Sequence, residues 1–504
     1  MIVIPRRSLR RAALLTLLLP SAAFLLTWVR PVFALPAMAA LAAAFVLDCR
    51  RRETPANFFG DGEDSLRISA WALAAVVACA ALWTFLSGIG GMFYQNEDHY
   101  GRNAILHDLL EHPWPVRFEG TSYALTYYIA YWLLPALAAK GAAAFLGEGA
   151  LWPVANAALF VQTVWFLVLI FLLLLLLTRA RTLLPACLAL LVFVMFSGMD
   201  ALMAGFINDW NNQIEWWAGT YQFSSNTTCL FWVYNQAVPA WLALMLLLDA
   251  PQDVGGFAFV GLLSFPFSPF PFVGLALAMA AQALALLVRA IREQGASRGA
   301  RSLLAQCLSA RNLLACAAVI PTFLPYFASN QASSASPLHA ELLLHAFSPR
   351  TAFFRLLLFE LVEFGALALV LGARWRRSPL FLVSVVTLIL APLFRVGYKA
   401  DFGMRVSIPA LTLLCVCSVR FLLDAVRERR AERYAAGVLA LFLLIGSVTP
   451  LLEFERGAYK VMLAGTNFMY SDPYKTVLCE DADTYNFICE DTDASFFYRV
   501  LARR

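Results

Sequence analysis

The chain has 504 residues, of which 61% are hydrophobic and 14% charged, with a formal net charge of +5. A soluble domain carries about 25% charged residues, so this composition excludes an ordinary soluble fold. The positive balance comes from arginines set between apolar runs, a pattern that does not point to nucleic acid. The runs lack period-2 alternation, and they read as helices of an all-α polytopic membrane protein.

Arg6, Arg7, Arg10 and Arg11 precede the first run, and with no small-residue cleavage site in view this reads as a retained signal-anchor. Apolar runs follow at 12–29, 31–48, 68–88, 151–177, 182–199, 232–249, 254–266, 270–289, 311–328, 351–372, 378–394, 405–423 and 435–452. The length criterion predicts about thirteen spans. Residues 1–452 would form the membrane domain and 453–504 a small extracytoplasmic tail. The arginines at 50–52, 179–181, 289–311, 374–377 and 427–433 fall between runs and should share the inner side with the N-terminus. A single crossing by the apolar segment 121–147 would invert that pattern. It is therefore expected to lie along the outer interface or to enter and return, with Tyr123, Tyr127, Tyr128, Tyr131 and Trp132 as interfacial aromatics.

The unusual polar residues then collect on the outer side. The first outer loop opens with Asn96, Glu97, Asp98 and His99, followed by Arg102 on a short amphipathic helix that ends at Pro113-Trp114-Pro115. Charge this near the hydrocarbon is costly and points to function, although residues meeting water at a helix end look the same. The second loop holds Asp200, Asp209, Glu215, Trp216, Trp217, Tyr221 and Asn226. Carboxylates and amides bind sugar hydroxyls and rings pack on sugar faces, but a belt of interfacial aromatics reads identically. Arg395, Lys399 and Arg405 stand on the outer edge against the positive-inside trend, which suits an anionic group such as phosphate; Arg405 could equally pair with Asp401.

Of the ten cysteines, Cys415 and Cys417 read as lipid-buried thiols. Cys479 and Cys489 could be bridged outside, and the acidic tail around them reads as a solvated surface. SFPFSPFPF at 264–272 is a proline-broken turn between spans. There is no internal repeat, zinc spacing, P-loop or dinucleotide fingerprint.

Glu97-Asp98, the 102–112 helix, TYYIAYWLLPALAAKGAAAFLG and the 151–177 span ending at TRAR resemble the GT-C superfamily of membrane glycosyltransferases over roughly residues 68–200. The SSNTT and DFGMRVSIPAL segments are similar to those of a group of bacterial membrane proteins. The resemblance implies a GT-C-like helical bundle in a bacterial inner membrane, with the active site on the extracytoplasmic face. It implies transfer of a sugar from a polyprenyl-phosphate donor to a glycan or lipid acceptor, with inversion. Asp98, with Glu97 second, would be the general base. Arg405, Lys399 and Arg395 would hold the departing phosphate, with His99 and Arg102 nearer the base. No cofactor is expected, and a divalent metal remains an open possibility. A polysaccharide polymerase or ligase would carry one large outer loop. A lipid-linked sugar transporter or flippase would carry charge in mid-span, where only Glu360 and Glu363 stand.

Overall fold

The computed structural model describes residues 1–51, 56–60, 62–203, 213–219, 221–330, 341–342, 350–396, 401–425, 430–463, 474–479 and 486–504; of 341–342, 350–352, 395, 430–431 and 463 only the backbone is described. Asp209 and Lys399 lie outside the described residues, as does the side chain of Arg395.

In chain order the helices are α1 (Arg6–Trp28), α2 (Pro31–Arg50), α3 (Ala70–Leu86), α4 (Asp98–Glu111), α5 (Ala130–Leu146), α6 (Leu151–Thr178), α7 (Leu183–Val194), α8 (Asn226–Asp249), α9 (Phe257–Ser264), α10 (Pro269–Gln294), α11 (Ala296–Cys307) and α12 (Ala310–Ala328). Next, α13 (Arg350–Glu360) runs through a π turn at Leu361–Gly365 into α14 (Ala366–Trp375), followed by α15 (Pro379–Leu390), α16 (Asp401–Val406), α17 (Ile408–Ala425), α18 (Arg430–Gly446) and α19 (Val448–Leu463). Local chemistry sets several starts. Ser69, Ser225, Ser309 and Ser378 accept from backbone N–H groups of the first turns of α3, α8, α12 and α15, filling donors a helix start leaves open. Proline opens α2 and α10, where its missing N–H costs nothing.

Among the described residues, nine helical segments are long and apolar enough to cross a membrane. Every apolar run of the sequence is helical, but those at 68–88, 182–199, 254–266 and 378–394 give the shorter apolar helices Ala70–Leu86, Leu183–Val194, Val254–Phe267 and Pro379–Leu393. Regular sheet among the described residues is limited to two-stranded pairings: Ile2–Pro5 with Ser65–Ile68, Ala124–Leu125 with Ile488–Cys489, and Glu341–Leu342 with Phe394–Arg395.

One end of the bundle gathers the arginines. Arg6 bonds Asp249, Arg10 grips Asp48 with two bonds, and Arg311 bridges Asp48 and Asp253. Arg179 and Arg181 meet Glu63, Arg374 meets Asp424, and Arg420 reaches the Leu177 carbonyl. The basic loops thus share one end, as their spacing anticipates. Inside the bundle Trp83 stacks on Trp241 at 5.8 Å, with Phe171 and Phe193 around it. Such close packing supplies the cohesion that lipid cannot.

The segment 121–147 stays in one half of the bundle. Gln162 Nε2 donates to the Tyr131 carbonyl at 2.7 Å, and Tyr131 Oη meets Thr163 Oγ1 at 3.0 Å. Helix α5 therefore begins beside the middle of α6, about 15 residues or roughly 23 Å short of its basic end. It then rises antiparallel to α6 and joins it through Gly147, in the left-handed region at φ 83°.

The tail is not a separate piece. Arg30 N–H donates to the Leu501 carbonyl and Arg503 N–H to the Trp28 carbonyl, both closing on the end of α1. Phe497, Tyr498 and Leu501 are buried. Cys479 and Cys489 are both free thiols.

Candidate active site

Helix α8 breaks inside: Val233 sits at φ −138°, ψ 36°. The break frees the Phe231 carbonyl from its helical partner. Asn96 Nδ2 donates to it at 2.9 Å, and His99 Nε2 stands 3.1 Å away. A carbonyl only accepts, so Nε2 carries the proton. His99 is buried, and burial together with the Arg102 charge pushes its pKa down to about 3. It is a neutral clamp between α4 and α8. Further along α4, the buried Asp108 accepts from Val477 N–H at 2.9 Å; burial raises its pKa to about 6.

The clamp fixes the first turn of α4. Arg102 Nη2 donates to Asp98 Oδ2 at 2.9 Å, one helical turn apart. The Arg102 side chain is 9% exposed and that of Asp98 46%, so the guanidinium is sunk and the carboxylate open. Glu97 is exposed at the position before the helix. The Arg102 guanidinium lies 5.4 Å from the Tyr234 ring centre, and Trp132 Nε1 donates to Tyr234 Oη at 3.1 Å.

Arg405 lies on α16. It pairs with Asp401 at 2.8 Å and has 14% of its side chain exposed. Burial opposes its charge, but Asp401, Tyr127, Tyr128 and Asp98 outweigh that and hold its pKa above the usual range. Burial pushes Tyr127 up, while Arg405 and Arg102 both pull against it. Asp98, Arg102 and Arg405 therefore all act on Tyr127, and Arg405 acts on Tyr128 as well; the two rings lie 4.6 Å apart. Arg102 Nη1, Arg405 Nε and Asn96 Oδ1 are buried atoms without a hydrogen-bond partner among the described residues. Open donors on two sunken guanidiniums are what an oxyanion would fill. From Arg420 at the basic end, Arg405 is about 15 residues or roughly 22 Å away along α17, well into the opposite half of the bundle.

The second loop forms a different centre. Glu215 is 2% exposed and accepts from Ser225 N–H at 2.9 Å and Thr228 Oγ1 at 2.7 Å. Burial, with Asp200 nearby, raises its pKa to about 8. Asp200 accepts from Thr449 Oγ1 at 2.9 Å and Ser197 Oγ at 3.2 Å. Trp217 Nε1 donates to Glu363 Oε1 at 3.0 Å. Asn226 Nδ2 is spent on the Phe193 carbonyl, Tyr221 packs on Phe359, and Trp216 is 51% exposed. The sequence reading put this loop outside, as a sugar-facing surface or a belt of interfacial aromatics. Asp200 and Glu215 are instead buried in the bundle, close to the π turn that carries Glu363. Roughly 18 Å of α7 separates this cluster from the basic end, about half the length of the longer helices.

Asp401, one helical turn before Arg405, was anticipated as its pairing partner; Tyr234, in an apolar run, is the partner that the sequence does not mark. Among the described residues no group of three or more His, Cys, Asp or Glu side chains is arranged to hold a metal ion.

Fold and site together define an all-α, multi-pass membrane protein with a carboxylate and two sunken guanidiniums in one half of its bundle. No family model, curated protein or solved structure matches the chain.

Proposed function

We propose that this protein is a GT-C-like glycosyltransferase that moves a sugar from a polyprenyl-phosphate donor to a glycan or lipid acceptor. The observation that carries the reading is that the paired Asp98 and Arg102 and the sunken Arg405 all come close enough to act on Tyr127. The acceptor hydroxyl oxygen bonds to the sugar C1 while the C1–O bond to phosphate breaks. The hydroxyl proton passes to Asp98 and the electron pair leaves on the phosphate oxygen. Arg102 orients Asp98; Arg405, with its open Nε, meets the departing phosphate. Glu97, exposed beside Asp98, is a secondary member of the site. The positive-inside rule puts the basic end and the N-terminus in the cytoplasm and this site on the extracytoplasmic face of a bacterial inner membrane.

A second reading, a transporter or flippase for lipid-linked sugars, has one observation in its favour: Asp200, Glu215 and Glu363 buried together inside the bundle. The discriminating experiment deletes the gene in its host and profiles surface glycans and lipid-linked sugars by mass spectrometry. Rescue is attempted with wild type, Asp98→Asn and Glu363→Gln. Loss of one sugar unit, restored by wild type and Glu363→Gln but not by Asp98→Asn, supports the transferase. Accumulation of a finished lipid-linked glycan, with Glu363→Gln inactive and Asp98→Asn active, supports transport and removes the transferase reading.

A further inference from the structure

The basic end holds a shallow, open cleft lined by Arg6, Arg7, Arg10, Arg11 and Arg51, with Asp48 and Asp249 in its wall. Both oxygens of Asp48 are engaged, whereas Asp249 keeps Oδ2, 4.0 Å from Arg10, without a hydrogen-bond partner among the described residues. Asp48 receives two bonds from Arg10 and one from Arg311, and Asp249 receives Arg6. Asp253, behind them, is gripped by Arg311 and approached by Arg51 at 3.4 Å. Arg6, Arg10, Arg51 and Arg311 thus share three carboxylates, and these four cations outnumber the acids by one.

The surplus is not evenly satisfied. Arg51 Nη1 is buried without a hydrogen-bond partner among the described residues. Burial and the neighbouring charges of Arg10 and Arg311 lower the Arg51 pKa. Like charges are being held together here at a cost that an anion would relieve. Arg7 and Arg11 are exposed at the first turns of α1, where the chain enters the apolar layer and lipid headgroups lie. Arg11 spends one donor on the Cys49 carbonyl and keeps the rest of its guanidinium available.

We propose that this cleft binds a phosphate oxyanion, as carried by the headgroup of an anionic phospholipid. The guanidinium fork suits phosphate, and basic pockets between spans on the cytoplasmic side are suited to anionic headgroups. The site is independent of the transferase reading, because it lies at the other end of the bundle.

The test uses the purified full chain in detergent and native mass spectrometry, with phosphatidylglycerol and phosphatidylcholine as paired probes and inorganic phosphate as competitor. Wild type should retain phosphatidylglycerol over phosphatidylcholine. Arg7→Gln/Arg11→Gln should lose about five-fold of that preference per arginine, and Arg51→Gln should weaken it too. Arg298→Gln/Arg301→Gln removes two exposed arginines on α11 that are not part of the cleft wall; it should keep the preference. Displacement by millimolar phosphate would show that the oxyanion alone is recognised, whereas retention in its presence would show that the lipid is required. Equal retention of both lipids by wild type without any phosphate effect overturns the proposal. So does equal loss in the cleft and α11 variants, or an unchanged preference in Arg7→Gln/Arg11→Gln.

Discussion

His99 and Asp108 sit on the same helix and pull its stability in opposite directions with pH. The His99 pKa falls from 6.5 to about 3. The unfolded chain therefore binds the extra proton between those values, and stability is lost as pH falls below 6.5. The Asp108 pKa rises from 3.8 to about 6. There the folded chain binds the extra proton, so stability is lost as pH rises from 3.8 through 6. Each pKa unit is about 1.4 kcal/mol. Between pH 6 and 4 the two slopes are each worth on the order of 3 kcal/mol and cancel. Wild type should show little net contribution from α4 across that window. His99→Gln keeps a donor for the Phe231 carbonyl and removes the imidazole, so acidification from pH 6 to 4 should stabilise it relative to wild type by on the order of 3 kcal/mol. Asp108→Asn keeps an acceptor for Val477 and should be destabilised relative to wild type by a similar amount. Tryptophan-fluorescence unfolding in detergent at pH 4, 5, 6 and 7 reads all three. Parallel profiles for wild type and both variants would refute the burial argument for α4.

Three other substitutions probe the scaffold. A Cβ at Gly274 would overlap the Val406 carbonyl oxygen and press on Pro409, so Gly274→Ala should cost about 1–3 kcal/mol. If Arg405 is catalytic, the same change lowers transfer by about 10²-fold through a shift of about 1 Å; wild-type unfolding and activity would count against the close approach. Arg311→Gln leaves Asp253 and Asp48 short of a buried cation and should cost about 3–5 kcal/mol, read by unfolding in detergent. Arg405→Lys keeps charge but loses the planar fork; under the proposed mechanism it should lower transfer by at least about tenfold while leaving unfolding near wild type, measured with isolated donor lipid.

The helices were legible because a lipid-facing span must be a long apolar run, and nothing else in the chain looks like one. The clustering of arginines at one end was legible for the same reason. The pairing of Asp98 with Arg102 was within reach, since residues four apart meet on a helix. Arg405 needed tertiary information: its approach to the tyrosines depends on α16 packing against α10 at Gly274. The second loop misled for a physical reason. A polar segment between apolar runs reads as solvated, and no local pattern records that Ser225 and Thr228 satisfy Glu215 from inside the bundle. The docking of the tail was likewise not legible, because the pairing of Ile488–Cys489 with Ala124–Leu125 joins residues far apart in the chain.

Helix α7 has one more implication. Its exposed Leu184 and Leu191 face outward, yet roughly 18 Å of helix must meet an apolar layer of about 30 Å. Lipid on that flank either thins or meets the backbone of residues 195–203, whose Met199 N–H is covered by the Val362 carbonyl. Acyl-chain length therefore bears directly on the spacing between α7 and the π turn at Leu361–Gly365. Short-chain bilayers relax that flank and long-chain bilayers load it, at fractions of a kcal/mol per Å of mismatch.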